Sequence, residues 1–433
     1  MRYGPKNLKV SFAAKNLTHF GGVYLLHLFF KKLSLRRRLF HSGRFPRRNN
    51  RYSVAEEILA LIYPICLGIG RIETTHLLRQ NGVFQRLTGL PVYPHPTTLR
   101  RFLFDLAPKA LARLRRLQQQ LLAVMILKPA APTKVIFDLD STVLTVYGKQ
   151  ELARVGYNPS KRGRASYHPL LCFNGLTKDF WQGELRSGLA YTGSEAVALL
   201  RASFAQLPAS VKSVTLRGDK GFYDHKIIEY LATQNARFAI AAKLTKPLKQ
   251  RLPGLTYRKY ASGLATAEFF YQPTDWKKLY RFVAIRRPLA EDPSEQLTLF
   301  TVRKHTYQVI VTDLPLMPLN LWKYYNGRAG VELIIKELKG SFPLAKIPSH
   351  HFAANEAYFH LLLFSYNLIN WFKRLCLPKE FHNMTLTTLR SRLLLVPSEL
   401  IAAGNKPTLK LPANFLYKEA FNFALKKIEK FKF

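Results

Sequence analysis

From Ser53 to about Leu127 the apolar positions recur three and four residues apart, which predicts a helical region. SVAEEILALIYPICLGIG opens on Ser53 with Glu56 three positions later, the pattern of a capping box. In PHPTTLRRFLFDL (94–106) two prolines and a Thr precede a short helix carrying Arg100 and Arg101. That pattern suits the turn and second helix of a helix-turn-helix, and equally an ordinary helical hairpin.

After Ala131 the period shortens. KVIFDLD (134–140), SYHPLLCFNG (166–175) and DFWQGELRSG (179–188) read as strands, and SEAVALLRASFAQL (194–207) as a helix. SVTLRGD (213–219) is predicted as a strand, DHKIIEYLATQ (224–234) as a helix and ARFAIAAKL (236–244) as a strand. Three strands, helix, strand, helix, strand specify a mixed α/β domain, in the order that a ribonuclease H-like core would show. Residues 245–316 interrupt the alternation with short strands, LTYRKY, ATAEFFYQP, LYRFVAIRRPL, QLTLFTVRK and YQVIVTDLPL, and with a polar loop, AEDPSE (290–295). They predict a small all-β insertion.

YYNGRAGVELIIKELKG (324–340) reads as one helix. At about 100° per residue, Tyr325, Arg328, Glu332, Lys336 and Lys339 fall within an arc of roughly 80°. Val331, Ile334, Ile335 and Leu338 project from the opposite side as a packing face. By itself such a stripe is a solvated face with Arg–Glu–Lys pairs, each worth about 0.2–0.5 kcal/mol. FHLLLFSYNLINWF (359–372) contains His360, Asn367 and Asn370, so it reads as a buried helix and not as a membrane span. A basic, mainly helical C-terminal part follows, ending KKIEKFKF.

Charge changes this picture. The 433 residues carry 67 Lys and Arg against 26 Asp and Glu, a net charge of +41. Nearly half of them are hydrophobic, so this is a folded chain and not a disordered basic tail. A folded protein so cationic calls for a polyanion, and nucleic acid gains further because each neutralised phosphate releases counterions. Cys66, Cys172 and Cys376 form no C-x-x-C pair, which argues against zinc and disulfides and suits a reducing cytoplasm. GGVYLLHLFF (21–30) is short and runs into KKLSLRRR, so neither a signal peptide nor a membrane anchor is expected. No Walker-type glycine loop is present.

In a chain this poor in acids, the positions of the carboxylates are informative. Asp138 and Asp140 stand at i and i+2 on the first core strand, and Asp219 closes a later one in RGDKGFYD. Together with Glu332, carboxylates converging from two strand ends and a helix could hold two divalent cations about 3.5–4 Å apart for phosphoryl transfer. Magnesium prefers such hard oxygen ligands. Capping of turns is the alternative role for Asp138 and Asp224. FDLDSTV also fits the D-x-D-x-T motif of haloacid-dehalogenase-like phosphatases, with Asp138 as nucleophile and Asp140 as its acid/base partner. That reading leaves the charge and the 325–339 stripe unexplained.

With these residues in hand, the chain resembles the DDE transposases of bacterial insertion sequences. The branch is the one with a Tyr–Arg–Glu–Lys signature, in the insertion-sequence families four and thirteen-eighty. Tyr325, Arg328, Glu332 and Lys339 meet the signature spacing without a gap. Asp140-Ser141-Thr142 matches the first acidic motif, and Arg217–Asp219 with Gly221-Phe222 matches the second. Asp219 lies 79 residues after Asp140, and Glu332 lies 113 after Asp219 because the insertion intervenes.

The resemblance implies cut-and-paste transposition of double-stranded DNA, acting on terminal inverted repeats and then on target DNA. Asp140, Asp219 and Glu332 would bind two Mg²⁺ ions, for which Mn²⁺ can substitute. Arg328 and Lys339 would grip phosphates, Tyr325 would help to hold a displaced nucleotide, and Trp276 is a candidate stacking platform for a flipped base. Lys336 adds a non-specific phosphate contact. The implied organisation is a helical DNA-end-binding region over 1–130, with Arg100 and Arg101, and a core over 131–244. The β insertion would occupy 245–316, the catalytic helix and its successor 317–375, and the basic C-terminal region 376–433. A homodimer on DNA and a cytoplasmic, nucleoid-associated location are expected. A transposase-derived DNA-binding protein that does not cut is the second reading.

Overall fold

Val135, Phe137 and Leu139 face one way along strand β1 (Lys134–Ser141), and Asp138 and Asp140 face the other, yet all five are buried. A strand covered on both faces belongs in the middle of a sheet. The computed structural model describes residues 8–43, 45, 51–159, 161–261, 263–288, 305–403 and 406–433. The loop expected at 290–295 and the strand expected at 296–304 lie outside the described residues. The chain divides into two compact units, Gln119–Lys336 and Met1–Gln118 with Glu337–Phe433.

In the first of these units β1 is joined by β2 (Leu170–Asn174), β3 (Phe180–Glu184), β4 (Ser213–Gly218) and β5 (Arg237–Ala241). The further strands are β6 (Arg258–Lys259), β7 (Ala265–Tyr271), β8 (Tyr280–Pro288) and β9 (His305–Thr312). Among the described residues these form one nine-stranded sheet in the order β6-β7-β8-β9-β5-β4-β1-β2-β3. The β1–β4 and β4–β5 pairs are parallel, and β2 and β3 run antiparallel on the other side of β1. Helices α1 (Ala196–Phe204) and α2 (His225–Thr233) make the crossovers, and Phe137 packs edge-on against Trp181 and against Phe204 of α1.

Two expectations need correction here. The strand expected over 166–175 is broken at Pro169, which offers no amide hydrogen to a ladder. Ala165–Tyr167 instead joins a small separate sheet with residues 144–145 and 154–155. The insertion of residues 245–316 is not wholly β, since it begins with a short helix, Lys246–Arg251. Nor do its strands close on themselves: β9 pairs with β5 through Ile310 and Ala241, so the meander extends the central sheet. An open strand edge is satisfied most simply by another strand.

The second unit is mainly helical. Ser53 caps the helix Val54–Leu67 and closes the expected capping box with Glu56. At the other end Gly68 takes the left-handed conformation (φ +81°), and a Cβ there would stand 2.5 Å from the Arg390 guanidinium. Arg390 in turn donates to the Cys66 carbonyl at 2.9 Å, so this helix end is held from far along the chain. The helix expected to be short near residue 97 runs over Pro96–Met125, because the buried series Leu99, Leu103, Leu106, Ala110 and Leu114 continues past Pro108. Phe352–Cys376 is the buried helix expected around 359–372. The C-terminal part is less helical than expected: Ser398–Ala403 pairs with Lys406–Lys410 on one side and with Leu17–Thr18 on the other. That pairing is fixed by a partner nearly four hundred residues away, which no local pattern signals. The three cysteines are free and buried. Among the described residues no helix is long and apolar enough to cross a membrane.

Ser53→Ala removes the cap and should lower the unfolding free energy by about 1 kcal/mol, read as a shifted midpoint in urea.

Candidate active site

Because β1 and β4 are parallel neighbours, their carboxyl ends lie at one edge of the sheet, the place where open α/β sheets bind ligands. Asp140 is the penultimate residue of β1, and Asp219 follows β4 directly. Asp219 is held by its own loop, since its Oδ1 accepts from the Gly221 amide at 2.8 Å and caps the turn Lys220–Phe222. Asp140 accepts from the amide of Ser141, also at 2.8 Å. Asp224 caps α2, the structural role allowed for it above.

Asp138 and Arg217 are directly opposed in the parallel register and face the same side. Arg217 donates from Nε to Asp138 Oδ1 at 2.6 Å and from Nη2 to Oδ2 at 2.7 Å, and both residues are buried. Its remaining terminal nitrogen, Nη1, donates to the carbonyl of Tyr324 at 2.8 Å. In a continuous helix that carbonyl would accept from the amide of Arg328. Instead it takes Arg217 and the Gly327 amide, while the Arg328 amide turns to the Tyr325 carbonyl at 2.9 Å. The single helix expected over 324–340 is therefore two, α3 (Pro318–Asn326) and α4 (Ala329–Gly340), with Arg328 at their junction. Glycines make room for the pair: a Cβ on Gly175 would lie 2.5 Å from Asp138 Oδ2, and one on Gly327 would lie 2.4 Å from Arg217 Nη1.

The break in the helix redistributes the expected stripe. Tyr325, at the end of α3, is buried with Ala239, Val283, Ile310 and Leu321, so its ring presents no face to a nucleotide. Its hydroxyl still shares the electrostatic field of Arg328, Asp219, Glu332 and Asp140. Glu332 is exposed on the first turn of α4, Lys336 is exposed one turn on, and Lys339 is half-buried. Val331, Ile334, Ile335 and Leu338 are buried as the packing face. Arg328 reaches back among the acids, with Nη1 2.8 Å from Glu332 Oε1 and Nη2 3.8 Å from Asp140 Oδ2.

Burial pushes the Asp140 carboxyl up to about 7; Arg328 pulls against this, and Asp219 and Glu332 add to it. Burial works to lower Arg328, yet Asp140, Tyr325, Asp219 and Glu332 outweigh it and raise the guanidinium further. The donor chemistry, three hard-oxygen carboxylates in one field, suits a cation such as magnesium. The spacing does not fit one as it stands: among the described residues no group of three His, Cys, Asp or Glu side chains could hold a metal ion. The guanidinium of Arg328 lies with the acids instead.

Trp276 is buried, its ring 4.8 Å from that of Tyr223 and 5.3 Å from that of Tyr280. Those contacts make it a packing residue of the insertion and leave no open ring face for a base. Arg100 and Arg101 are exposed near the start of their long helix, and Arg100 pairs with Glu73. Asp138 is 2% exposed with both oxygens engaged by Arg217, which closes it to the attack that a phosphatase nucleophile must make.

Sequence reading missed three contributors. Arg217 was visible as part of RGD but carried no assigned task. His168, lowered by burial and so neutral, donates from Nδ1 to the Ala190 carbonyl at 2.8 Å. Its Nε2 is thereby left to accept from the Ser141 hydroxyl at 3.0 Å, beside Asp140. Buried Arg186 donates to the carbonyls of His168, Tyr191 and Ser194, which fixes the loop carrying exposed Tyr191. Lys243 lies over the Tyr191 ring at 4.8 Å. A YxxRxxxExxxxxxK spacing could not have found these, because each acts across the fold.

A family profile described as transposase DDE domain group 1 matches residues 2–433. The cryo-EM structure of the piggyBac transposase synaptic complex with hairpin DNA is similar over 87% of this chain and 81% of that chain, at 12% identity and a TM-score of 0.42. No curated protein sequence matches.

Arg217→Met strands the Asp138 charge and should destabilise the fold by about 3–5 kcal/mol. The double variant Asp138→Leu with Arg217→Met should recover most of that loss in urea unfolding. Hydrogen exchange at the amides of residues 326–330 should stay faster than in the unaltered chain, because the Tyr324 carbonyl has lost Arg217.

The raised Asp140 carboxyl also makes stability depend on pH. Between its ordinary value of 3.8 and about 7, the folded chain holds a proton that the unfolded chain has released, so stability falls as pH rises through that window. In metal-free buffer, thermal unfolding of Asp140→Asn should show a shallower fall over the same range.

Proposed function

Because the chain belongs to the transposase DDE domain group 1 family, we propose that it is an active transposase of a bacterial insertion sequence, of the Tyr–Arg–Glu–Lys branch. The observation that carries this reading is the meeting of Asp140 and Asp219, at the carboxyl ends of adjacent parallel strands, with Arg328 and Glu332 from the α3–α4 junction. The strand order β3-β2-β1-β4-β5, with β2 antiparallel to β1, supports a ribonuclease H-like core beneath the site.

The reaction is a series of in-line phosphoryl transfers. Water cuts one strand at the end of the element, and the freed 3′-hydroxyl attacks the opposite strand to give a hairpin. A second water opens the hairpin, and the new 3′ end joins target DNA. Asp140, Asp219 and Glu332 would be the acids for two Mg²⁺ ions, which when bound would supply activation of the attacking oxygen and stabilisation of the leaving one. Arg328 and Lys339 position the phosphates beside the cut, and a guanidinium can do so with two parallel hydrogen bonds. Lys336, exposed on the same helix, adds a contact that any sequence satisfies. In the helical unit, exposed Arg100 and Arg101 lie on a surface suited to backbone phosphates, and the net charge of +41 supplies the salt-sensitive attraction. Two ends need two sites, so the working complex is a homodimer on DNA, in the cytoplasm with the nucleoid.

A DNA-binding protein that no longer cuts is the alternative that experiment must separate. Asp219→Asn and Glu332→Gln should abolish cleavage of a DNA end in Mg²⁺ while leaving gel-shift affinity largely unchanged. Normal cutting by Glu332→Gln would mean that the triad is misassigned. Short inverted repeats bordered by a direct duplication in the DNA flanking the gene would support the insertion-sequence assignment independently.

A further inference from the structure

We propose that Arg328 is the resident cation of the acidic cluster: without DNA its guanidinium fills the place a divalent metal would take, and a DNA phosphate draws it away. This rests on the reading of Asp140, Asp219 and Glu332 as the metal-binding acids.

Three observations meet at this side chain. Its two terminal nitrogens face two different members of the triad, Glu332 at 2.8 Å and Asp140 at 3.8 Å, and its side chain is only 12% exposed. Among the described residues, the acids around it do not close into a group that could hold a metal ion. A site built from three like charges must be neutralised by something, and here the nearby positive group is the guanidinium. Finally, Arg328 Nε is buried and has no hydrogen-bond partner. The fork of a guanidinium is used fully when Nε and Nη2 donate together to two oxygens of one group. Here Nη2 makes a loose pair with Asp140, and Nε makes none.

A phosphate arriving on the Nε–Nη2 edge resolves this arrangement. It satisfies Nε and takes Nη2 from Asp140, releasing a carboxylate oxygen for metal. Metal and DNA then favour each other through one residue, and by linkage each strengthens the binding of the other. Without DNA the acids hold a charge that cannot activate water, which keeps the enzyme from stray hydrolysis.

The test is Mn²⁺ binding to the DNA-free full-length protein, followed by the electron paramagnetic resonance of free Mn²⁺. The unaltered protein should bind weakly, and Arg328→Ala about tenfold or more tightly. Arg328→Gln, which keeps a neutral donor for Glu332, should also bind more tightly and stands in if the alanine variant does not fold. In EDTA either variant should melt below the unaltered protein, and Mn²⁺ should raise its melting temperature more than that of the unaltered protein. Tight Mn²⁺ binding by the unaltered protein, or no gain in either variant, overturns the role of Arg328. Asp219→Asn and Glu332→Gln, placed in the Arg328→Ala background, should abolish the gained binding. If the gain is indifferent to both acids, the ion sits elsewhere, and the assignment of the triad itself fails.

Discussion

The bidentate pair between Asp138 and Arg217 ties two adjacent parallel strands and the end of a helix together through one guanidinium. A buried ion pair of this kind adds little net stability, because desolvation offsets most of the attraction, but removing one partner costs a great deal. Its value here is geometric. It fixes β1 against β4 two residues before Asp140 and Asp219, and it takes the Tyr324 carbonyl out of the helical ladder. The break that follows turns Arg328 toward the acids and starts α4, with Glu332, on a new course. Gly175 and Gly327 are the spaces this arrangement requires.

Around that tie, electrostatics work on two scales. Over the whole chain positive charge dominates, which draws in a polyanion at long range and makes binding sensitive to salt. Within the site the sign reverses: burial pushes the Asp140 carboxyl upward, and the negative charges of Asp219 and Glu332 add to it. A net positive chain with a local cluster of acids can attract a polyanion at long range while the cluster itself favours a cation. Arg328 belongs to both scales, since its charge can serve carboxylate or phosphate but its fork cannot serve both fully.

Much of the fold was legible in the chain. The capping box at Ser53 and Glu56, the buried helix at 352–376 and the succession of strands and helices from β1 to β5 all follow from local periodicity and turn chemistry. Most of the misreadings share one cause. A C-terminal segment paired with Leu17–Thr18, and the meander after residue 264 extended the sheet edge of β5; in both cases a partner distant in sequence outweighed local preference, whereas the strand over 166–175 was broken locally by Pro169. At the site, the spacing of Tyr325, Arg328, Glu332 and Lys339 was readable, but the side chains were placed on one uninterrupted helix. The guanidinium that ends α3 comes from 107 residues earlier, so no window of sequence contains both halves of that bond.

The sequence by itself determined the class of the protein: a large excess of positive charge, acids sparse enough to be counted, and a spacing of four residues that periodicity alone would assign to salt bridges. Which face each residue turns was decided by the tertiary structure. Tyr325 and Trp276 read as aromatic contacts for DNA, yet apolar burial outweighs exposure for rings of that size, and both are packed. Asp138 and Asp140 stand two residues apart on one face of a strand, and the register sets their surroundings apart. One is opposite Arg217 and is locked by it, while the other lies near the strand end, bonded to the Ser141 amide and loosely paired with Arg328. Alternation in a sequence states that two side chains share a face of a strand, but the charge that a neighbouring strand brings to that face is settled only when the sheet assembles.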